Sequence, residues 1–195
     1  NLNQRGELKK GSSVLVHGGT SGIGIASIQI LKLFECKIFT TVGTLKKEEF
    51  CKKIKIDHIF NYKKQDFYEE IMKFENKGID LILDYVGGEY INKHINLLRE
   101  DGKLINIGFQ NGSITKINLM KVMLKRLTIT GSTLRIRDRF FKGRILNELE
   151  KVVFPKFKTG EIKCYIDSIY KLSEAAEAHK RLEEGEHIGK VILKI

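Results

Sequence analysis

The chain has 195 residues, of which 42% are hydrophobic and 30% charged, a balance that excludes an intrinsically disordered protein. No apolar run approaches the roughly 18–20 residues of a membrane-spanning helix. The net charge is +11, which raises the possibility of nucleic-acid binding, but the excess is mostly lysine spread along the chain in pairs such as Lys9 and Lys10. This spread favours a solvated surface over a nucleic-acid-binding patch.

The first 130 residues alternate between strand and helix patterns. The predicted strands are Ser13–His17, Lys37–Val42, His58–Phe60, Ile79–Asp84, Lys103–Ile107 and Leu127–Gly131. The predicted helices are Gly22–Phe34, Lys46–Ile54, Asp66–Glu75, Tyr90–Leu98 and a short one near Asn118–Leu124. This alternation predicts an α/β Rossmann fold, a doubly wound parallel six-stranded sheet with right-handed crossovers.

The rest of the chain has a different pattern. Arg137–Phe154 reads as a long helix that ends near Pro155, the only proline. A strand at Tyr165–Tyr170 follows, then a helix with Ser173 as its N-cap and a final strand at Lys190–Ile195. This segment is predicted to pack outside the main sheet.

A glycine turn connects the first strand to the first helix. Residues 14–24 read VLVHGGTSGIG, with glycines at 18, 22 and 24. Glycines allow a tight turn and bring the helix N–H groups close to a pyrophosphate, so this context predicts a dinucleotide site. The spacing departs from GxGxxG, and it fits both short-chain dehydrogenases and medium-chain quinone reductases.

The end of the second strand predicts which dinucleotide binds. An NAD site usually places Asp or Glu about 20 residues beyond the glycines to hold the ribose 2′-hydroxyl. Here the sequence Val42–Lys47 has no carboxylate, and it contains Lys46 and Lys47. Ammonium groups pair with a 2′-phosphate, so the sequence favours NADP.

Two further segments follow strands at the same predicted edge of the sheet. Asp84–Gly88 follows the fourth strand and Gly108–Gly112 follows the fifth. Ligands of open α/β sheets bind outside the carboxyl ends of the strands. We therefore expect both segments to form walls for the nicotinamide half of the cofactor.

No metal site is predicted. The five histidines fall on different elements, and Cys-x-x-Cys does not occur. Cys36, Cys51 and Cys164 are scattered, which predicts reduced thiols and a cytoplasmic protein.

The motifs together resemble those of one family. In chain order they are VLVHGGTSGIG, TVGTLKK, FNYKKQDF, IDLILDYVGG, GKLINIGFQNG, GSTLRIRD and AAEAHKRLEEGEHIGKVIL. The chain resembles the zinc-independent medium-chain dehydrogenases/reductases, specifically the NADPH:quinone oxidoreductases that include zeta-crystallin, with the tumour-suppressor-inducible branch most similar. The resemblance implies an NADP-binding Rossmann domain at residues 1–136. It also implies that residues 137–195 form a connecting helix and the C-terminal part of a GroES-like catalytic domain, whose N-terminal part would be absent, so that the chain is a fragment.

The resemblance also implies binding roles for particular residues. Ser21, Gly22, Ile23 and Gly24 would hold the pyrophosphate. Gly43, Lys47 and Tyr62 would hold the adenosine 2′-phosphate. Val86, Gly108 and Phe109 would line the nicotinamide pocket, Ser132, Thr133 and Leu134 would lie near the carboxamide, and Lys190 would approach the cofactor.

The implied activity is hydride transfer from NADPH to a quinone or an enone. No catalytic acid or base is evident, and the fragment is expected to bind NADPH but to turn over poorly. The resemblance also suggests a homodimer.

Three alternatives stand beside this interpretation, a second type of dehydrogenase and two proteins of other classes. A short-chain dehydrogenase would need Tyr-x-x-x-Lys, and no tyrosine has a lysine four residues later, since Tyr90 has Lys93 at three. A basic binding module would show salt-sensitive RNA binding without NADPH affinity. A methyltransferase-like domain would have an acidic residue at the end of the second strand.

Overall fold

A computed structural model describes residues 1–195. Its main sheet has six strands in the order β3-β2-β1-β4-β5-β6, all parallel. The strands are β1 (Ser13–Val16), β2 (Lys37–Val42), β3 (His58–Asn61), β4 (Ile79–Asp84), β5 (Leu98–Asn106) and β6 (Thr128–Gly131). This strand order is that of the doubly wound dinucleotide-binding fold, so the predicted fold class is confirmed.

The alternation of side chains along β1 divides the core between the two faces of the sheet. Leu15 lies in a buried cluster on one face with Phe39, and Val14 and Val16 lie in a second cluster on the other. Both faces of a parallel sheet are covered by helices, which is why the central strand β1 is buried along its whole length. Each fully buried leucine or isoleucine contributes roughly 1.5–3 kcal/mol of hydrophobic stabilisation.

The helices are α1 (Gly22–Leu33), α2 (Leu45–Lys53), α3 (Phe67–Phe74), α4 (Tyr90–Leu97), α5 (Leu119–Leu124), α6 (Arg139–Val152), α7 (Phe154–Lys158) and α8 (Ala175–Glu183). Ser21 and Thr44 are the N-caps of α1 and α2. Their side-chain oxygens accept backbone N–H groups of the first turns, which fixes where each helix begins at the edge of the sheet. No helix has both the length and the apolar character needed to cross a membrane.

Beyond the main sheet, residues 137–195 contain α6, α7, α8 and a separate two-stranded parallel sheet of β7 (Ile166–Lys171) and β8 (Lys190–Lys194). The side chain of Gln29 on α1 pairs with both backbone groups of Lys163, at 2.7 and 3.1 Å. The N–H of Gly189 donates to the carbonyl of Thr20 at 2.8 Å. The first pair of bonds attaches the segment before β7 to α1, and the last bond attaches the segment before β8 to the glycine turn.

Three local predictions are wrong. The helix predicted at Arg137–Phe154 ends at Val152, and Pro155 lies in the first turn of α7, because a missing N–H and a fixed φ are tolerated there. Ser173 is not an N-cap but lies in a 3₁₀ turn, where Glu174 accepts the N–H of Lys171 at 2.8 Å. The fifth strand begins at Leu98, five residues before the predicted start.

Candidate functional site

The glycine turn at the end of β1 packs tightly against the start of α1. The hydroxyl of Ser21 accepts the N–H of Gly24 at 2.9 Å. A Cβ atom at Gly24 would lie 2.2 Å from the carbonyl oxygen of Gly18, and Gly18 itself has a φ of +57°. Both positions therefore require glycine, and the first N–H groups of α1 are left free of intrahelical partners.

A groove of about 410 Å³ opens at this turn. Its lining comes from the carboxyl ends of β1, β2 and β4, the loop after β5, and the loop before β8. Of the residues predicted to bind a cofactor, five line it: Ser21, Gly43, Lys47, Tyr62 and Val86. Their common position at one edge of a parallel sheet is where ligands of this fold class bind.

One end of the groove is formed by Gly43, Lys47 and Tyr62. The Tyr62 hydroxyl lies 2.7 Å from the place a Cβ of Gly43 would take, so the ring lies directly against the glycine. The Thr44 cap accepts the Lys47 N–H at 3.3 Å, and the Lys47 ammonium group donates to the carbonyl of Gly185. Burial lowers the pKa of Lys47, the signature of a cation partly withdrawn from water.

The other end is built from the loops after β4 and β5. The N–H groups of Gln110 and Asn111 donate to the carbonyls of Tyr85 and Val86 at 2.9 and 2.7 Å. Asp84 fixes the first loop, because its carboxylate accepts the Val86 N–H at 2.8 Å. The two segments that the sequence predicts as walls therefore pack against each other.

Tyr85 also lines the groove. Its hydroxyl donates to the carbonyl of His17 at 3.0 Å and occupies the space beside Gly18 that a side chain would need. Gly108 packs against Tyr85, and Phe109 packs against Gly87 with half of its surface exposed.

The remaining predicted residues lie outside the groove lining. Gly22, Ile23 and Gly24 form the start of α1 beside it, and the Lys190 ammonium lies 2.7 Å from the place a Cβ of Gly22 would take. Ser132 extends the pairing of β5 with β6, its N–H donating to Asn106 at 3.0 Å, while Thr133 and Leu134 are exposed.

Twelve groove residues were not among the predicted cofactor-binding residues. They are His17, Gly18, Thr20, Thr41, Val42, Tyr85, Tyr90, Gln110, Asn111, Leu182, Gly185 and His187. Tyr85, Gln110 and Asn111 lie within the segments predicted as walls. His187 received no role from the sequence, because its position depends on how the loop before β8 packs against Lys47 on α2 and Thr20 of the glycine turn.

The structure brings together three potential metal ligands that the sequence analysis did not connect. His17, Asp84 and His94 are fully buried, with their ligand atoms within 4.8 Å of one another. The two Nε2 atoms of the histidines are 2.8 Å apart, which is a direct hydrogen bond, and His17 Nδ1 lies 2.9 Å from the Thr41 hydroxyl. Burial lowers the pKa of His17 to about 3, so its ring is neutral.

This cluster does not fit a zinc ion. Two nitrogens on a tetrahedral zinc stand about 3.3 Å apart, given Zn–N bonds of roughly 2.0–2.1 Å. The Asp84 carboxylate already accepts N–H groups of Val86, Gly87 and the Asn106 side chain. The cluster is a hydrogen-bonded network between β1, β4 and α4.

The strand order and the glycine turn define a protein of the Rossmann dinucleotide-binding class. Comparison with known protein families then shows to which family the chain belongs. The family model described as zinc-binding dehydrogenase matches residues 22–148, and the chain belongs to that family.

Individual relatives agree with this assignment. The human synaptic vesicle membrane protein VAT-1 homolog is 31% identical over 203 residues, covering 96% of this chain and 51% of that protein. Human quinone oxidoreductase is 31% identical over 190 residues, covering 95% of this chain and 55% of that protein. The chain thus spans about half the length of these relatives.

A solved structure shows the same architecture. The Escherichia coli quinone oxidoreductase complexed with NADPH superposes with a TM-score of 0.86 at 26% identity, covering 100% of this chain and 60% of that one. The resemblance to a quinone-reductase-like family of medium-chain dehydrogenases/reductases is therefore confirmed.

Proposed function

We propose that this chain is the cofactor-binding part of an NADPH-dependent oxidoreductase that reduces a quinone or an enone. The observation that carries the proposal is the end of the groove formed by Gly43, Lys47 and Tyr62, where the lining offers the ammonium group of Lys47 and no carboxylate. The similar E. coli enzyme was solved as a complex with NADPH, which supports the choice of cofactor.

The groove residues fit an anionic dinucleotide. The start of α1, capped by Ser21, presents N–H groups and the positive end of the helix dipole to a pyrophosphate. Lys190 adds an ammonium group beside Gly22. Lys47 and the Tyr62 hydroxyl would hold the 2′-phosphate, and Gly43 would leave room for the ribose.

The chain's own contribution to the reaction is positioning. NADPH, when bound, supplies the hydride. The packed loops carrying Val86 and Asn111 form a wall of the groove, so that they would orient the nicotinamide. We assign no catalytic acid or base to this chain. The substrate class follows the quinone oxidoreductase relative.

The test of the cofactor assignment is a titration of NADPH and NADH, followed by the fluorescence of the reduced nicotinamide. We expect tighter binding of NADPH. Lys47→Ala should weaken NADPH binding by about 10- to 100-fold, because a hydrogen bond to a charged group contributes roughly 1.5–3 kcal/mol, and leave NADH binding nearly unchanged.

Lys46→Ala is the matched control. Lys46 is exposed in the same helical turn and does not line the groove, so its loss should change NADPH affinity little. Equal affinity for NADH and NADPH in the wild type, or equal losses in the two variants, would contradict the assignment.

We further propose that two copies of the chain associate through β6. This strand is an open edge of the main sheet, and exposed apolar side chains surround it: Leu124, Ile129, Leu134 and Ile136. Sedimentation should give about twice the chain mass of 22.4 kDa, and Ile129→Lys should give a monomer. Leu172→Lys is the control, because Leu172 is exposed and follows β7 of the separate two-stranded sheet, and a wild-type monomer at high concentration would refute the proposal.

A further inference from the structure

His187 lines the groove and lies close enough to Lys47 to feel its charge. It belongs to the loop between α8 and β8, and three bonds hold this loop in place. The Lys47 ammonium donates to the Gly185 carbonyl, the Ile188 N–H donates to Asp167 at 2.9 Å, and the Gly189 N–H donates to Thr20. The backbone of this loop is therefore held at the groove by contacts from both parts of the fold.

The ring has an unused polar atom. His187 Nδ1 is buried and has no hydrogen-bond partner in the protein. A buried polar atom without a partner costs free energy, roughly 1–3 kcal/mol, and a ligand in the groove recovers it when the imidazole ring turns to present this atom to the groove. An imidazole that takes up a proton donates from both nitrogens, so a phosphate oxygen is a suitable partner.

The charges around the ring are mostly positive. The groups that face it are Lys47 on α2, Asp167 on β7, Arg181 on α8 and Lys190 on β8. Asp167 is already paired with Arg181 at 2.9 and 3.0 Å. Burial and the charge of Lys47 lower the pKa of His187, so the ring is neutral near pH 7 in the free protein.

A phosphate bound among these cations would reverse the preference of the His187 ring for its neutral form. Its negative charges would favour the imidazolium form, and its oxygens would accept hydrogen bonds from the imidazole N–H groups. We propose that His187 is a phosphate-binding residue that takes up a proton when the 2′-phosphate of NADPH enters the groove. This proposal rests on the proposed function and adds that NADP selectivity weakens as pH rises.

The test is isothermal titration calorimetry with NADPH in buffers of different ionisation enthalpy, which counts the protons taken up on binding. Wild-type protein is compared with His187→Gln, and with His179→Gln as a control on exposed surface of α8. The comparison between variants removes protons released by the phosphate itself. 2′,5′-ADP and 5′-AMP serve as probes that differ only in the 2′-phosphate.

We expect the wild type and His179→Gln to take up more protons with NADPH and with 2′,5′-ADP than His187→Gln does, and no difference with 5′-AMP. At pH 6, His187→Gln should bind NADPH about tenfold more weakly, the effect of one lost charge-assisted bond, and the difference should shrink toward pH 8.5. Circular dichroism verifies that the variant is folded, and unchanged NADH affinity verifies that its groove is intact.

Two results would overturn the inference. If His187→Gln binds NADPH with the wild-type affinity and proton count while the wild type still prefers NADPH, His187 has no such role and the proposed function stands. If the wild type shows no preference for 2′,5′-ADP over 5′-AMP, both this inference and the proposed cofactor fail together.

Discussion

Acidification is expected to destabilise the fold through the buried His17. Its ring lies between β1 and α4, bonded to His94 and Thr41, and burial holds its pKa at about 3 against 6.5 in an exposed histidine. Below pH 6.5 the unfolded chain therefore binds a proton that the folded chain does not. The free energy of unfolding is therefore highest above pH 6.5, and it decreases progressively as pH falls toward 3.

The magnitude follows from the two pKa values. A pKa difference from 6.5 to about 3 corresponds to about 5 kcal/mol when the unfolded chain is fully protonated, at roughly 1.4 kcal/mol per pH unit. Between pH 8 and pH 5 the expected loss is about 2 kcal/mol. Burial and the charge of His17 also lower the pKa of His94, which acts in the same direction. The raised pKa of buried Asp84 acts in the opposite direction.

Urea denaturation followed by circular dichroism measures this loss as the change in the free energy of unfolding between pH 8 and pH 5. His17→Asn isolates the contribution of this one residue. Between pH 8 and pH 5, the free energy of unfolding of this variant should decrease by about 2 kcal/mol less than that of the wild type. His179→Asn, an exposed histidine, should behave as the wild type. A wild-type and a His17→Asn protein with the same pH dependence would refute the reasoning.

Two further predictions concern the turn and the loop that border the groove. Gly24→Ala places a Cβ against the carbonyl of Gly18, so thermal stability should fall and NADPH affinity should drop by at least about tenfold. Gly143→Ala is the control: this residue lies within α6, a Cβ there meets no other atom, and the change should stabilise the chain by about 0.5–1 kcal/mol. Asp167→Asn removes the charged partner of Arg181 and weakens the acceptor of the Ile188 N–H. Amide hydrogen exchange at Ile188 should therefore accelerate, while exchange in β1 stays slow. Unchanged exchange at Ile188 would contradict the role given to Asp167.

The order of the elements could be predicted because it depends on local patterns. Apolar strands such as Ile79–Asp84 and the glycine turn are read from adjacent residues, and the alternation of strand and helix permits few parallel topologies. Dependence on local patterns also explains why the predictions for Pro155 and Ser173 are wrong. The position of Pro155 and the role of Ser173 depend on how residues 137–195 pack, which their own sequence does not show.

The candidate groove was predictable in part for the same reason. Gly43 and Lys47 lie at the end of one predicted strand, so their proximity to the glycine turn follows from the fold. Tyr62 entered through family resemblance, and its contact with Gly43 needed the register of β2 with β3.

The sequence by itself determined the fold class, the glycine turn and the absence of a carboxylate after β2, because each depends on residues close together in the chain. Only the tertiary structure brought His187 to Lys47 and His17 to His94, pairs that are 140 and 77 residues apart. Such pairs form when separate elements pack, and no local pattern records which distant side chains will meet.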